Sequence, residues 1–130
     1  MNRRASREKA IQALYQMDLS GAEAAEAIEN VLNGDSSESG YLHNIVLGVE
    51  DHLEEIDKSI KENLENWSFD RLAKVDRNIL RLAVYEMTYV EDVPSKVAMN
   101  EAIELAKRFS DERAGKFING VLSKINQSMK

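Results

Sequence analysis

Apolar residues recur every three or four positions along this chain, and few segments alternate with period two, so the pattern predicts amphipathic helices. The first helix is expected from about Arg4 to Leu19, with Ala10, Ile11, Leu14 and Met17 facing inward and Gly21 stopping it. A second spans roughly Ala22 to Leu32 through Ala24, Ile28, Val31 and Leu32, with Asn33-Gly34 as its C-cap. Residues 34–40, rich in Gly, Ser and acids, read as a loop. A long helical stretch follows from about Tyr41 to Asn66, striped by Leu42, Ile45, Val46, Val49, Leu53, Ile56, Ile60 and Leu64. It is expected to break near Glu50-Asp51, where Gly48 precedes a sequence, Asp51-His52-Leu53-Glu54, that fits a capping box.

Ser68 is placed to cap the next helix, with Trp67 and Leu72 as a hydrophobic staple. That helix runs to about Thr88 through Val75, Ile79, Leu82, Ala83 and Tyr85. The single proline, Pro94, ends the connection, and Pro94 or Ser95 opens a helix aligned on Ala98, Ala102, Leu105, Ala106 and Phe109. After a Ser110-Asp111 turn, the last helix covers about Glu112 to Asn126, with Ala114, Phe117, Ile118, Val121, Leu122 and Ile125 on one face. Asn119-Gly120 is a hairpin dipeptide, yet the apolar stripe runs through it and favours helix. A glycine there costs about 1 kcal/mol relative to alanine, which close approach of another helix would offset. The expectation is an all-α compact bundle of six to seven helices, forming one domain over residues 1–130.

Composition narrows the chemistry. With 43% hydrophobic and 31% charged residues, the chain has the balance of a soluble globular domain. It contains no cysteine, which excludes disulfides, thiolate nucleophiles and Cys-based zinc sites. No apolar run approaches the roughly 18 residues that span a bilayer. The charged start lacks a following apolar segment, so no secretory signal is read and a cytoplasmic location is expected. The sequons at Asn66-Trp67-Ser68 and Asn126-Gln127-Ser128 are then chance matches. There is no glycine-rich phosphate loop, His-Glu-x-x-His or nucleophile elbow. His43 and His52 lie about two and a half helical turns apart and point in nearly opposite directions, so a shared metal is not expected. The acids of 50–65 read as a solvated face beside Lys58 and Lys61. No catalytic residue, cofactor or metal is expected.

Charge distribution says more than the net of −6. Residues 1–9 carry net +3, residues 10–70 net −12, and residues 71–130 net +3. A basic end on an acidic body points to a localised anion site. At 100° per residue, Arg3, Arg7, Ile11 and Leu14 fall within about 80° of one another, so the arginines continue the apolar stripe to its rim. Cations at a helix N-terminus oppose the macrodipole by roughly 0.3–1 kcal/mol each. A bound polyanion would offset that cost, and arginine meets phosphate bidentately. The competing reading is a frayed basic tail that aids solubility. Gln12 and Tyr15 follow on the neighbouring face, an amide and an aromatic suited to single-stranded RNA, although Tyr15 alone also reads as a boundary core residue. Lys107, Arg108, Arg113 and Lys116 form a second basic group.

Four ordered segments carry a resemblance. Arg3-Arg4-Ala5-Ser6-Arg7-Glu8-Lys9-Ala10-Ile11-Gln12-Ala13-Leu14-Tyr15 is similar to the opening of the NusB family of bacterial transcription antitermination factors. Segments 67–72 and 75–86 resemble the family's central helix, 93–107 its most distinctive segment, and Lys116-Phe117-Ile118-Asn119-Gly120-Val121-Leu122 its end. The resemblance implies two packed helical groups and a non-enzymatic role. It implies binding of the single-stranded boxA element of nascent RNA together with NusE, a ribosomal small-subunit protein. The complex would join elongating RNA polymerase and suppress premature termination, notably in ribosomal RNA operons. By position, the resemblance places Arg3, Arg4, Arg7 and Gln12 in an RNA-facing motif, Lys116 and Phe117 in a second RNA-side segment, and Tyr15, Asp70 and Asp76 toward NusE. A shorter arginine run than the family's implies weaker RNA affinity. Asp70 and Asp76 stand where glutamates are common, and Arg113 where an acid is expected.

Two other readings stand beside this one. The chain could be a helical protein–protein scaffold with no RNA role. It could be an accessory domain of an RNA methyltransferase, although a chain ending at Lys130 leaves no room for a catalytic domain. A homodimer that covers the RNA face is left open, as is base specificity, because arginines on phosphates read no bases.

Overall fold

The computed structural model describes residues 1–129. Among them are seven α-helices and no strand: α1 (Arg3–Ser20), α2 (Ala24–Leu32), α3 (Gly40–Asp51), α4 (Leu53–Glu62), α5 (Lys74–Tyr89), α6 (Ser95–Phe109) and α7 (Glu112–Ser128). A single 3₁₀ turn, Phe69–Arg71, precedes α5. No helix among the described residues is long and apolar enough to cross a membrane.

The helices form two packed groups. In the first, α1 lies against α2 and α3. In the second, α4, α6 and α7 surround α5, which also packs on α1 and α3 and so joins the groups. The stripes read from the sequence supply the core: Ile11 and Leu14 from α1, Leu42, Ile45 and Val46 from α3, Ile118, Leu122 and Ile125 from α7. Burial of α5 is continuous from Arg77 to Met87, wider than the expected single stripe, because helices cover it on several sides.

Caps explain the ends. The Asn2 side chain accepts from the Ala5 amide at 2.7 Å and opens α1 one residue before the expected start. Asp111 does the same for α7 through Ala114, also at 2.7 Å. Gly21 (φ 73°) and Asn33 (φ 48°) close α1 and α2 in the left-handed region.

Four expectations are corrected. The long stretch does break where expected, α3 ending at Asp51, but the N-cap of α4 is His52 (φ −113°, ψ 19°), which makes no side-chain hydrogen bond, so the capping box does not form. The stretch also stops at Glu62 rather than Asn66, and Asn66 itself is left-handed (φ 64°). Ser68 does not open α5: Leu72 and Ala73 are extended, α5 begins at Lys74, and Trp67 lies 59% exposed rather than stapled to Leu72. Gly120 sits inside α7, as the stripe required, but no neighbouring helix approaches it; beyond the local backbone of α7 itself, nothing lies within 4 Å of where a Cβ would stand.

Candidate nucleic-acid interface

The basic end of α1 is not a frayed tail. Each of its arginines is forked onto a carboxylate from the other side of the fold. Arg3 meets Asp92, in the α5–α6 connection, through Nη2 at 2.9 Å. Arg4 meets Glu101 of α6 through Nη2 at 2.8 Å and Nε at 3.2 Å. Arg7 lies deepest, with Nε at 2.9 Å from Glu86 Oε1, Nη2 at 2.9 Å from Glu86 Oε2, and Nη1 at 3.1 Å from Glu101. Arg7 is 4% exposed and Glu86 fully buried. Tyr41 donates its hydroxyl to Glu86 and stacks beneath the Arg3 guanidinium, 4.3 Å from ring centroid to Cζ. Burial, followed by the Glu86 carboxylate, drives the Tyr41 phenol well above its ordinary range.

These pairs revise the dipole argument. The anion that offsets cations at the α1 N-terminus is supplied internally by Asp92, Glu101 and Glu86. Arg3 and Arg4 remain at the surface, where an exchange of carboxylate for phosphate is open to them. Arg7 reaches no solvent-borne phosphate without leaving Glu86.

The second basic group divides in two. Lys107 and Arg108, in the last turn of α6, join the α1 arginines; Arg108 Nε lies 2.9 Å from Glu8 Oε2. With Arg4, Arg7, Glu8 and Glu101 they line a cleft of about 430 Å³. Arg113, Lys116 and Phe117 instead belong to α7 and gather around Trp67, whose indole meets the Phe117 ring edge-on at 5.8 Å. Gln12 is exposed on α1 and Tyr15 half-buried.

The residues set toward a protein partner lie near the start of α5. Asp70 is exposed on the 3₁₀ turn. Asp76, in the first turn of α5, is half-buried, and its Oδ1 is enclosed without a hydrogen-bond partner. Burial pushes its carboxyl above the ordinary range. The α1 segment that carries Tyr15 is fastened to this region: Asp18 receives Arg77 at 2.8 Å and Asn78 at 3.0 Å. Arg81 reaches Asp57 of α4 at 2.8 Å, and Arg77 and Arg81 both lie over the Phe69 ring.

The sequence reading had no place for Glu86, Glu101 and Asp92 in this site. A signal existed for Glu86: Arg81 and Glu86 sit inside an otherwise apolar run, and charges are almost never buried unless paired.

Comparison with known proteins places this geometry in a family. The NusB family model matches residues 4–127. The transcription antitermination protein NusB of Bacillus subtilis (strain 168) is 52% identical over 129 residues, covering 99% of this chain and 98% of that protein. Its counterpart from Bacillus velezensis (strain FZB42) is 53% identical over 125 residues, covering 96% and 95%. Among solved structures, one of the antitermination factors NusB and NusE in complex with double-stranded RNA superposes with a TM-score of 0.89 at 35% identity, covering 97% of this chain and 96% of that one. T. maritima NusB superposes with a TM-score of 0.89 at 37% identity, covering 98% and 92%.

Proposed function

The chain belongs to the NusB family, and from that premise we propose that it acts by binding, as a transcription antitermination factor. One RNA-binding domain, residues 1–130, takes the single-stranded boxA element together with NusE. The assembly joins elongating RNA polymerase in the cytoplasm and suppresses premature termination in ribosomal RNA operons. The observation that carries the reading is the cleft in which Arg4, Lys107 and Arg108 converge at the α1–α6 seam, on a fold shared with a NusB that has been solved with NusE and RNA.

Arg3 and Arg4 are the phosphate ligands, with Gln12 beside them on α1 and Lys116 and Phe117 on α7. Arg7 serves the site from beneath, holding Glu86 and Glu101. Tyr15, Asp70 and Asp76 face NusE. Acids there suit a ribosomal protein, whose surface is usually basic, because opposite charge steers encounter. RNA affinity of the chain alone is modest and steeply salt-dependent, and NusE contributes its own contacts to a joint site.

The test is fluorescence anisotropy of labelled boxA RNA with and without NusE, for the wild type and an Arg3→Ala, Arg4→Ala double variant. Weakened binding with unchanged melting is expected, since both side chains lie at the surface. One observation favours the scaffold alternative: each α1 arginine is already matched by a carboxylate. Equal RNA binding by the double variant, or no binding in any sample, would decide for the scaffold.

A further inference from the structure

Tyr41 has no part in the RNA or partner contacts set out above, yet it stands at the centre of the basic end. Two guanidinium groups lie over its ring, Arg3 with Cζ 4.3 Å from the centroid and Arg7 with Cζ at 5.8 Å. Its hydroxyl donates to the buried carboxylate of Glu86. Tyr41 is the second residue of α3 and half-buried, so its side chain reaches from the interior ion pair to an arginine at the surface.

The two parts of this side chain meet different partners. The hydroxyl serves the interior, where Glu86 is fully buried and needs donors on every side. Burial and Glu86 drive the phenol above its ordinary range, so the hydroxyl keeps its proton and remains a donor. The ring serves the surface. Asp92 holds Arg3 by both terminal nitrogens, at 3.3 and 2.9 Å, and the two side chains are 44% and 67% exposed. A phosphate takes an arginine by those same nitrogens, so it must displace Asp92. Tyr41 meets the central carbon of the guanidinium instead and blocks none of them.

From this division of contacts we infer that Tyr41 is a positioning residue for RNA: its ring holds the Arg3 guanidinium with the fork outward, before and after phosphate displaces Asp92. The inference rests on the RNA-binding reading and deepens it. A free surface arginine loses rotamer freedom when it meets a phosphate, and one already ordered on an aromatic ring loses less. The negative face of the ring attracts the cation without neutralising it. Asp92 therefore competes with the ligand, whereas Tyr41 does not.

Two variants separate the ring from the hydroxyl. Tyr41→Phe keeps the ring over Arg3 and strips Glu86 of a donor; Tyr41→Leu removes both. Each is expected to lower the urea midpoint and to keep a helical circular dichroism spectrum. Anisotropy of labelled boxA RNA, with NusE present, then reads the ring alone. Tyr41→Leu is expected to bind about 2- to 30-fold more weakly than Tyr41→Phe, the range of a cation–π contact, and Tyr41→Phe to bind like wild type despite its lower stability. In an Arg3→Ala background the difference between Phe and Leu should vanish. In the wild type, the ring current of Tyr41 should shift the Arg3 Hδ protons upfield, and the shift should persist in the RNA complex. Equal binding by the Phe and Leu variants, where Arg3→Ala binds more weakly than wild type, overturns the role of Tyr41 and leaves the RNA reading standing. So does loss of the Arg3 shift on RNA binding, a measurement that needs no variant to fold. A Phe–Leu difference that persists without Arg3 overturns it in favour of general loosening of α3. Absence of any anisotropy change for the wild type overturns the RNA reading and the positioning role with it.

Discussion

Arg7 and Glu86 are 79 residues apart in sequence and form a fork-to-fork ion pair in the interior, between the second turn of α1 and the buried face of α5. Glu101 takes the remaining arm of Arg7, and Tyr41 the second edge of Glu86. Each charge is therefore met on more than one side, the condition under which a buried pair is tolerated.

Removing one member strands the other. Arg7→Ala and Glu86→Gln are each expected to destabilise the protein by about 3–5 kcal/mol, measured by urea unfolding. Replacing the pair together with apolar residues of similar volume should cost much less. A single variant that melts like wild type would show that water reaches the pair.

Asp92 holds Arg3 at the surface by the geometry a phosphate would use. Asp92→Asn should tighten RNA binding several-fold and increase its salt dependence, with stability unaltered. Unchanged or weaker binding would mean that Arg3 contributes no phosphate contact.

Two glycines should respond oppositely to alanine. A Cβ on Gly48 would run into the Tyr85 ring, which hydrogen-bonds Asn44 and has little room to retreat. Gly48→Ala is expected to destabilise by about 1–3 kcal/mol through overpacking. Gly120 faces open space in a helix, so Gly120→Ala should stabilise by about 0.5–1 kcal/mol. Calorimetry on the two variants reads both effects.

Acid should unfold the protein through two carboxylates. Burial raises Asp18, but hydrogen bonds from Arg77 and Asn78 and the charge of Arg81 outweigh it and hold the group below its ordinary value. The hydrogen bond from Arg4 acts likewise on Glu101, against burial. A carboxylate lowered in the folded state stabilises fully above its unfolded value, about 4, and loses that contribution as pH falls through the folded one. Asp76 has the opposite sign: raised by burial, it favours the folded state in acid and loses that contribution as pH rises. Asp76→Asn should therefore stabilise at neutral pH, with the gain vanishing in acid, while weakening capture of NusE. Urea midpoints across acidic to neutral pH check both signs.

The helices were legible because their apolar stripes repeat at 3.6 residues and Gly21 and Asn33 mark two of their ends; the N-caps Asn2 and Asp111 came only from the structure. The entry to α5 was not legible. Trp67 and Leu72 carry a local staple pattern, yet Phe69 turns inward beneath Arg77 and Arg81 while Trp67 turns out, a choice made by side chains eight residues away and more. At the candidate site, the position of Arg3 on the rim followed from helical geometry, whereas Arg7, read on the same rim, is buried against Glu86. The carboxylate partners of the arginines did not, because Asp92 and Glu101 reach them only through the packing of α5 on α1 and of α6 on α5.

The ion pairs that pin both ends of α1 to α5 also set an order in time. Arg7 waits for Glu86, and Asp18 waits for Arg77. At about 5–20 residues per second of synthesis, the gap between Arg7 and Glu86 lasts roughly 4–16 seconds. Throughout that interval Arg7 has no Glu86 to meet, and docking of the first helix onto α5 is what takes its charge out of water.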